Sequence, residues 1–103
     1  QGGKLPGLTS GGSTYTGGNH PDNGEGWSAR FMWRAQGSAE VYLYYVDMAS
    51  KWGEGLPLDN VTFKPGQWYE ITQRIQVNEK DQHNAAIYAW VDDKLVMEKN
   101  NFR

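Results

Sequence analysis

The sequence predicts an all-β protein folded as an antiparallel β-sandwich. Three observations carry that expectation. Several segments alternate apolar and polar residues with a period of two, the mark of strands that bury one face. No window of useful length shows the 3.6-residue period of a helix, and clusters of Gly, Pro, Asn and Asp separate the alternating segments at short intervals, as turns do in such folds. A chain of 103 residues makes one domain at most. Its 5 Trp and 6 Tyr supply buried area that the modest aliphatic content does not, and a net charge of -2 gives no cause for disorder.

Residues 1–26 hold most of the 13 Gly, together with Pro6 and Pro21, and show almost no apolar periodicity. They read as loop. Lys4, Leu5, Leu8, Tyr15 and His20 are not linker residues, so the expectation is an ordered Gly-rich binding loop lining a cleft. From Trp27 the period of two begins: Trp27, Ala29, Phe31 and Trp33 fall on one face, and Ser28, Arg30, Met32 and Arg34 on the other. A turn at Ala35-Gln36-Gly37-Ser38 precedes a second strand, with Val41, Leu43 and Tyr45 on one face and Tyr42, Tyr44 and Val46 on the other. Residues 47–60 read as irregular, broken by Gly53, Gly55 and Pro57, with a possible short strand at Val61-Thr62-Phe63. Pro65-Gly66 marks a turn into a strand from Trp68 to Val77, whose apolar set is Tyr69, Ile71, Ile75 and Val77. A polar loop over 78–84 leads to two strands, Ala86–Val91 and Lys94–Glu98, joined as a hairpin at Asp92-Asp93.

Charge and composition narrow the function classes. With 10 basic against 12 acidic residues the chain has no global field for nucleic acid or an anionic membrane, so neither is an expected partner. No apolar run approaches the length of a spanning helix. The absence of Cys excludes disulfides, thiolate metal sites and cysteine nucleophiles. His20 and His83 lie in polar loops without zinc-motif spacing. No Gly-x-Ser-x-Gly elbow occurs, and the Gly-rich start lacks the strand and helix of a phosphate cradle. A start at Gln1 rather than Met is expected of a processed or excised piece, and a secreted or extracellular location is the corresponding expectation.

Directly opposed residues of an antiparallel pair share a face. Joining Val41, Leu43 and Tyr45 to the Trp27 face therefore gathers Ser28, Arg30, Tyr42 and Tyr44 on the other. A solvated sheet face holds such residues as a matter of course. Two neighbouring Tyr also suit a sugar, whose C–H faces stack on aromatic rings while phenol hydroxyls bond its oxygens. Trp52, Trp68, Tyr88 and Trp90 are candidates to extend that surface. Acidic residues are nearly absent from this face while Arg30 and Arg34 occupy it, so it suits an acidic ligand.

At this level the chain resembles polysaccharide lyase family 14, the alginate lyase and glucuronan lyase-like jelly rolls. The resemblance lies in Gly2-Gly3-Lys4-Leu5-Pro6-Gly7-Leu8, in Gly26-Trp27-Ser28-Ala29-Arg30-Phe31-Met32-Trp33-Arg34, and in Glu40-Val41-Tyr42-Leu43-Tyr44. It extends to Pro65-Gly66-Gln67-Trp68 and from Gln73-Arg74-Ile75 to Asn78. It implies a jelly roll that binds a polyuronate on a concave face and cleaves it by β-elimination, with Lys4, Ser28, Arg30, Tyr42 and Tyr44 as catalytic residues. Periodicity alone groups the last four and leaves Lys4 unplaced. Arg30 is expected to hold the substrate carboxylate, Lys4 to act as base, Tyr44 or Tyr42 as acid, and Ser28 as a hydrogen-bonding orienter, with Lys and Tyr roles open to exchange. Both side-chain types ionise near pH 10, and nearby cations such as Arg30 are expected to lower them. The scheme needs no metal or organic cofactor.

Domains of that family are longer than this chain, so 1–103 is expected to form one partial domain. Five or six strands are legible between Trp27 and Glu98, too few for a jelly roll of about eight. An open strand edge or an exposed apolar patch follows, closed by missing segments or by another chain. The rival functions are a non-catalytic carbohydrate-binding module on the same face and a structural half-domain.

Overall fold

A computed structural model describes residues 2–12, 14–21 and 26–103. Among these residues seven strands form two antiparallel sheets. Sheet A runs in the order β1 (Gly3–Gly11), β2 (Gly26–Trp33), β3 (Ser38–Tyr44), β4 (Glu54–Thr62), and sheet B in the order β5 (Ile71–Gln76), β6 (Ala85–Val91), β7 (Lys94–Phe102). Each sheet is a meander in which consecutive strands pair, and β4 approaches β7 along one side of the sandwich.

The alternation read for β2 and β3 sets the sandwich. Ala29, Phe31, Val41 and Leu43 are buried toward sheet B, where Ile87, Ala89 and Val91 of β6 and Val96 and Met97 of β7 meet them. The turn between β2 and β3 is closed by Arg34 and Ser38, with Gln36 and Gly37 at positive φ of 65° and 79°. Asp92 and Asp93 turn the β6–β7 hairpin with φ of 51° and 66°, the double left-handed pair that suits a two-residue connection.

Two segments differ from the sequence expectation. Residues 3–11, expected within a Gly-rich loop over 1–26, are strand β1, paired with β2 from Gly3↔Trp33 to Gly11↔Gly26 with an irregularity between Lys4 and Gly7. Ser13 and residues 22–25 of that expected loop lie outside the described residues. The stretch expected to be irregular up to residue 60 contains β4, which takes Pro57 without losing a ladder bond it needs because it is an edge strand.

Three strands in sheet B face four in sheet A, and β5 pairs only with β6. Its outer edge is unpaired among the described residues. Cavities of about 580 Å³ and 850 Å³ flank it, the first reaching Trp27, Ile75 and Val77 and the second Leu5, Trp33 and Ile71. Val77 is 62% exposed, Trp68 96%, and the buried side-chain amide of Gln73 on the inner face of β5 has no hydrogen-bond partner. The expected open edge is thus present at β5 among the described residues.

Candidate active site

Sheet A has a second built face. On the side away from sheet B, Ser28, Met32, Glu40 and Tyr44 are all buried, so this is not the solvated face that alternation alone would allow. Register explains the grouping: Ser28 stands opposite Tyr44, Arg30 opposite Tyr42 and Met32 opposite Glu40. The first strand adds Lys4 opposite Met32. From there the Lys4 side chain spans β2, and its Nζ stands 5.2 Å from the centre of the Tyr42 ring. The five expected residues therefore come together, Lys4 included.

Their environments differ along the face. At one end the segment 14–21 lies over β2 and β3. Ser28 Oγ donates to the Tyr15 carbonyl at 2.5 Å, and the Gly18 amide donates to the Tyr44 hydroxyl at 2.9 Å. Ser28 is 5% and Tyr44 1% exposed. The Ser28 hydroxyl, expected to orient substrate, is engaged by the chain's own backbone and fastens this segment to β2. At the other end Lys4 is exposed, and Arg30 and Tyr42 are half-buried. Among the described residues no carboxylate pairs with Arg30 or Lys4.

The two tyrosine rings meet edge to face, 5.7 Å apart at 86°. Gly53, just before β4, and Gly55 within it make room for them. A Cβ at Gly53 would lie 2.7 Å from the Tyr44 ring and 3.0 Å from that of Tyr42, and one at Gly55 would strike the Glu40 carboxylate. Burial raises the Tyr42 phenol above its ordinary pKa, and Tyr44 adds to this through charge and a side-chain hydrogen bond. Arg34 and the Gly53 amide pull the other way with less effect. The expectation that nearby cations lower the tyrosines is therefore corrected for Tyr42, because desolvation outweighs them.

Sequence reading missed Glu40 as a member of this face. Its carboxylate accepts Nε of Arg34 at 2.7 Å and Nη2 at 3.3 Å. The period-two count from Tyr42 back to Glu40 was the available signal. Of the aromatics expected to extend the surface, Trp52 does adjoin it: Gly18 packs on its ring, and Lys51 Nζ stands 5.1 Å from it. Tyr88 and Trp90 belong to β6, in the other sheet, and pair across it with Arg74 and Thr72, so they do not extend this face. Trp68 sits between the turn at Pro65-Gly66 and β5 and does not adjoin it either. Among the described residues no group of three or more His, Asp or Glu is gathered as metal ligands would be. The two cavities described above open between the sheets, and the candidate site is an open face, suited to a polymer lying across it.

The family model for polysaccharide lyase 14 matches residues 1–103. Among solved structures the chain is similar to alginate lyase Aly36B, with 22% identity and a TM-score of 0.80, and to a mutant of Aly36B in complex with an alginate trisaccharide, with 20% identity and a TM-score of 0.81. Each superposition takes in 99% of this chain and 45% of the other, so the chain spans less than half the length of those lyases. At such identity the likeness is one of fold. No match is found among curated proteins.

Proposed function

The chain belongs to polysaccharide lyase family 14 over residues 1–103, and from that premise we propose that it cleaves an acidic polysaccharide, alginate or glucuronan, by β-elimination on the outer face of sheet A. The observation that carries this reading is Lys4 Nζ placed 5.2 Å from the centre of the Tyr42 ring on a face that also bears Arg30 and Tyr44.

The chemistry asks for three groups. The C5 proton of a uronate is weakly acidic because the adjoining carboxylate is already negative, so that carboxylate must be neutralised. Arg30 does this with a planar fork of donors. Lys4, as the neutral amine, takes the C5 proton. The electron pair left behind forms the C4–C5 double bond, the C4–O bond breaks, and the leaving oxygen takes a proton from a tyrosine. Tyr42 suits the acid role because its raised pKa keeps it protonated. Ser28 supports the site from behind by fastening the segment whose Gly18 amide holds the Tyr44 hydroxyl.

A second reading is a binding module on the same face, favoured by the near-complete burial of Tyr44, which leaves Lys4, Arg30 and Tyr42 as the accessible groups. One assay separates the two. The protein is incubated with alginate and with glucuronan, with and without a chelator, and the ultraviolet absorbance of the new double bond is followed. Absorbance that grows equally with chelator supports the lyase. Retention on the polymer without absorbance supports the module. Saturated products, or activity lost in chelator and restored by a divalent ion, overturn β-elimination as written.

A further inference from the structure

Arg34 lies four residues beyond Arg30 along the same extended strand, about 13 Å further on at 3.3 Å per residue. It faces the same side, since its backbone is still extended (φ -111°, ψ -168°) and it contacts Glu40 of that face. A guanidinium carries five N–H donors. Glu40 takes one from Nε and one from Nη2, both on a single edge of the planar group. The Nη1/Nη2 edge is left over, and it is the other edge able to grip a carboxylate with two parallel bonds. The Arg34 side chain is 57% exposed while that of Glu40 is 12% exposed, so the carboxylate is the fixed member and the guanidinium the presented one. Glu40 is itself confined, because its carboxylate lies where any side chain at residue 55 would have to go.

We propose that Arg34, braced by Glu40, is a second carboxylate-binding residue of the polyuronate track and gives the protein its preference for longer chains. The proposal deepens the reading above and rests on it for the identity of the ligand. A sugar whose carboxylate meets Arg30 places a neighbour further along the polymer at Arg34, so only oligomers long enough to span both gain the contact. Glu40 is a positioning residue: it holds the fork in one orientation, which removes the rotamer freedom an exposed arginine would otherwise lose on binding.

The test is affinity electrophoresis of the intact chain in gels containing alginate or glucuronan, with dextran as neutral control and short and long uronate oligomers as competitors. Thermal melting is run beside it. Arg34→Gln is expected to bind the polymers and long oligomers about tenfold more weakly, with competition by uronate disaccharides unchanged, and to stay folded while melting lower than the parent because the 12%-exposed Glu40 loses its partner. Arg34→Lys keeps the charge without the fork and is expected to lie between the two. Glu40→Gln frees the guanidinium and is expected to weaken long-chain binding about threefold. Binding by Arg34→Gln and Arg34→Lys equal to the parent, or equal weakening for short and long oligomers, overturns the proposal, as does a parent chain that binds neither polymer. Discrimination by these variants in a protein that forms no unsaturated product upholds the proposal while the lyase reading fails.

Discussion

Replacing Gly53 by alanine tests whether the tyrosine pair is held as rigidly as its surroundings imply. The new Cβ would stand 2.7 Å and 2.9 Å from two atoms of the Tyr44 ring and 3.0 Å from Tyr42, against ordinary contacts of 3.4–4 Å. Tyr44 has nowhere to go, being 1% exposed and fixed at its hydroxyl by Gly18. Overpacking of this kind costs about 1–3 kcal/mol. Alanine restricts the unfolded chain more than glycine and returns about 0.4–1 kcal/mol, so the expected net loss is roughly 1–2 kcal/mol. For a domain of this size that lowers the melting temperature by roughly 5–15 °C. Displacement of the rings by a fraction of an ångström is expected to cut polyuronate turnover by up to ~10²-fold. Calorimetry and the double-bond assay on Gly53→Ala check both numbers. Gly12→Ala, where a Cβ meets no described residue within 4 Å, serves as the control and is expected to melt at or slightly above the parent temperature. A Gly53→Ala protein that melts and turns over like the parent would refute the account of a tightly packed tyrosine pair.

Three further outcomes are expected. Arg30→Lys keeps the charge and loses the fork, so turnover should fall on the order of 10²-fold with the fold intact by circular dichroism; unchanged turnover removes Arg30 from the carboxylate. Tyr44→Phe deletes both the charge and the hydrogen bond that help raise Tyr42, so in an ultraviolet titration the Tyr42 phenol should ionise at lower pH than in the parent, though still held up by burial, its largest cause; no downward shift contradicts the coupling. Burial and the Glu54 carboxylate raise the Tyr45 phenol well above the tyrosine range. Its protonated form is thus favoured by folding, and that stability is full below the unfolded pKa near 10 and lost as pH rises beyond it. Tyr45→Phe should cost about 1 kcal/mol at neutral pH and flatten the alkaline decline in denaturant midpoint; an equally steep decline would show that another group governs it.

The strands with strict alternation were legible because one face of each had to be apolar. Trp27 to Trp33 and Val41 to Tyr45 give up both their pairing and the shared face of Ser28, Arg30, Tyr42 and Tyr44 on that ground alone. Strand β1 was not legible, since its identity depends on close approach to β2 rather than on burial: a Cβ at Gly7 would run into the Ala29 carbonyl, so glycine here is a strand residue that looks like a loop residue. The same holds for β4, where Gly53, Gly55 and Pro57 serve the tyrosines and an edge position rather than a core. Lys4 became placeable only through β1. Glu40 was missed because the alternation was read only from Val41, one residue past it, although it continues the face of Tyr42 and Tyr44 and stands opposite Met32.

Each sheet draws its strands from one stretch of chain, residues 3–62 and 71–102, so among the described residues no ladder hydrogen bond crosses from one stretch to the other. The halves are joined by apolar packing and by a clasp in which Asp47 exchanges backbone and side-chain bonds with Arg103 and also meets His83. The connection passes through the turn at Gly66, where Trp68 is almost wholly exposed. A protease that cuts beside Trp68 would therefore sever one covalent link and not a single rung of either sheet. Each piece would keep all the strand pairings of its own sheet, and two fragments divided there are expected to reassociate through the apolar core they share, which mixing the separately made pieces and following the return of cooperative melting would check.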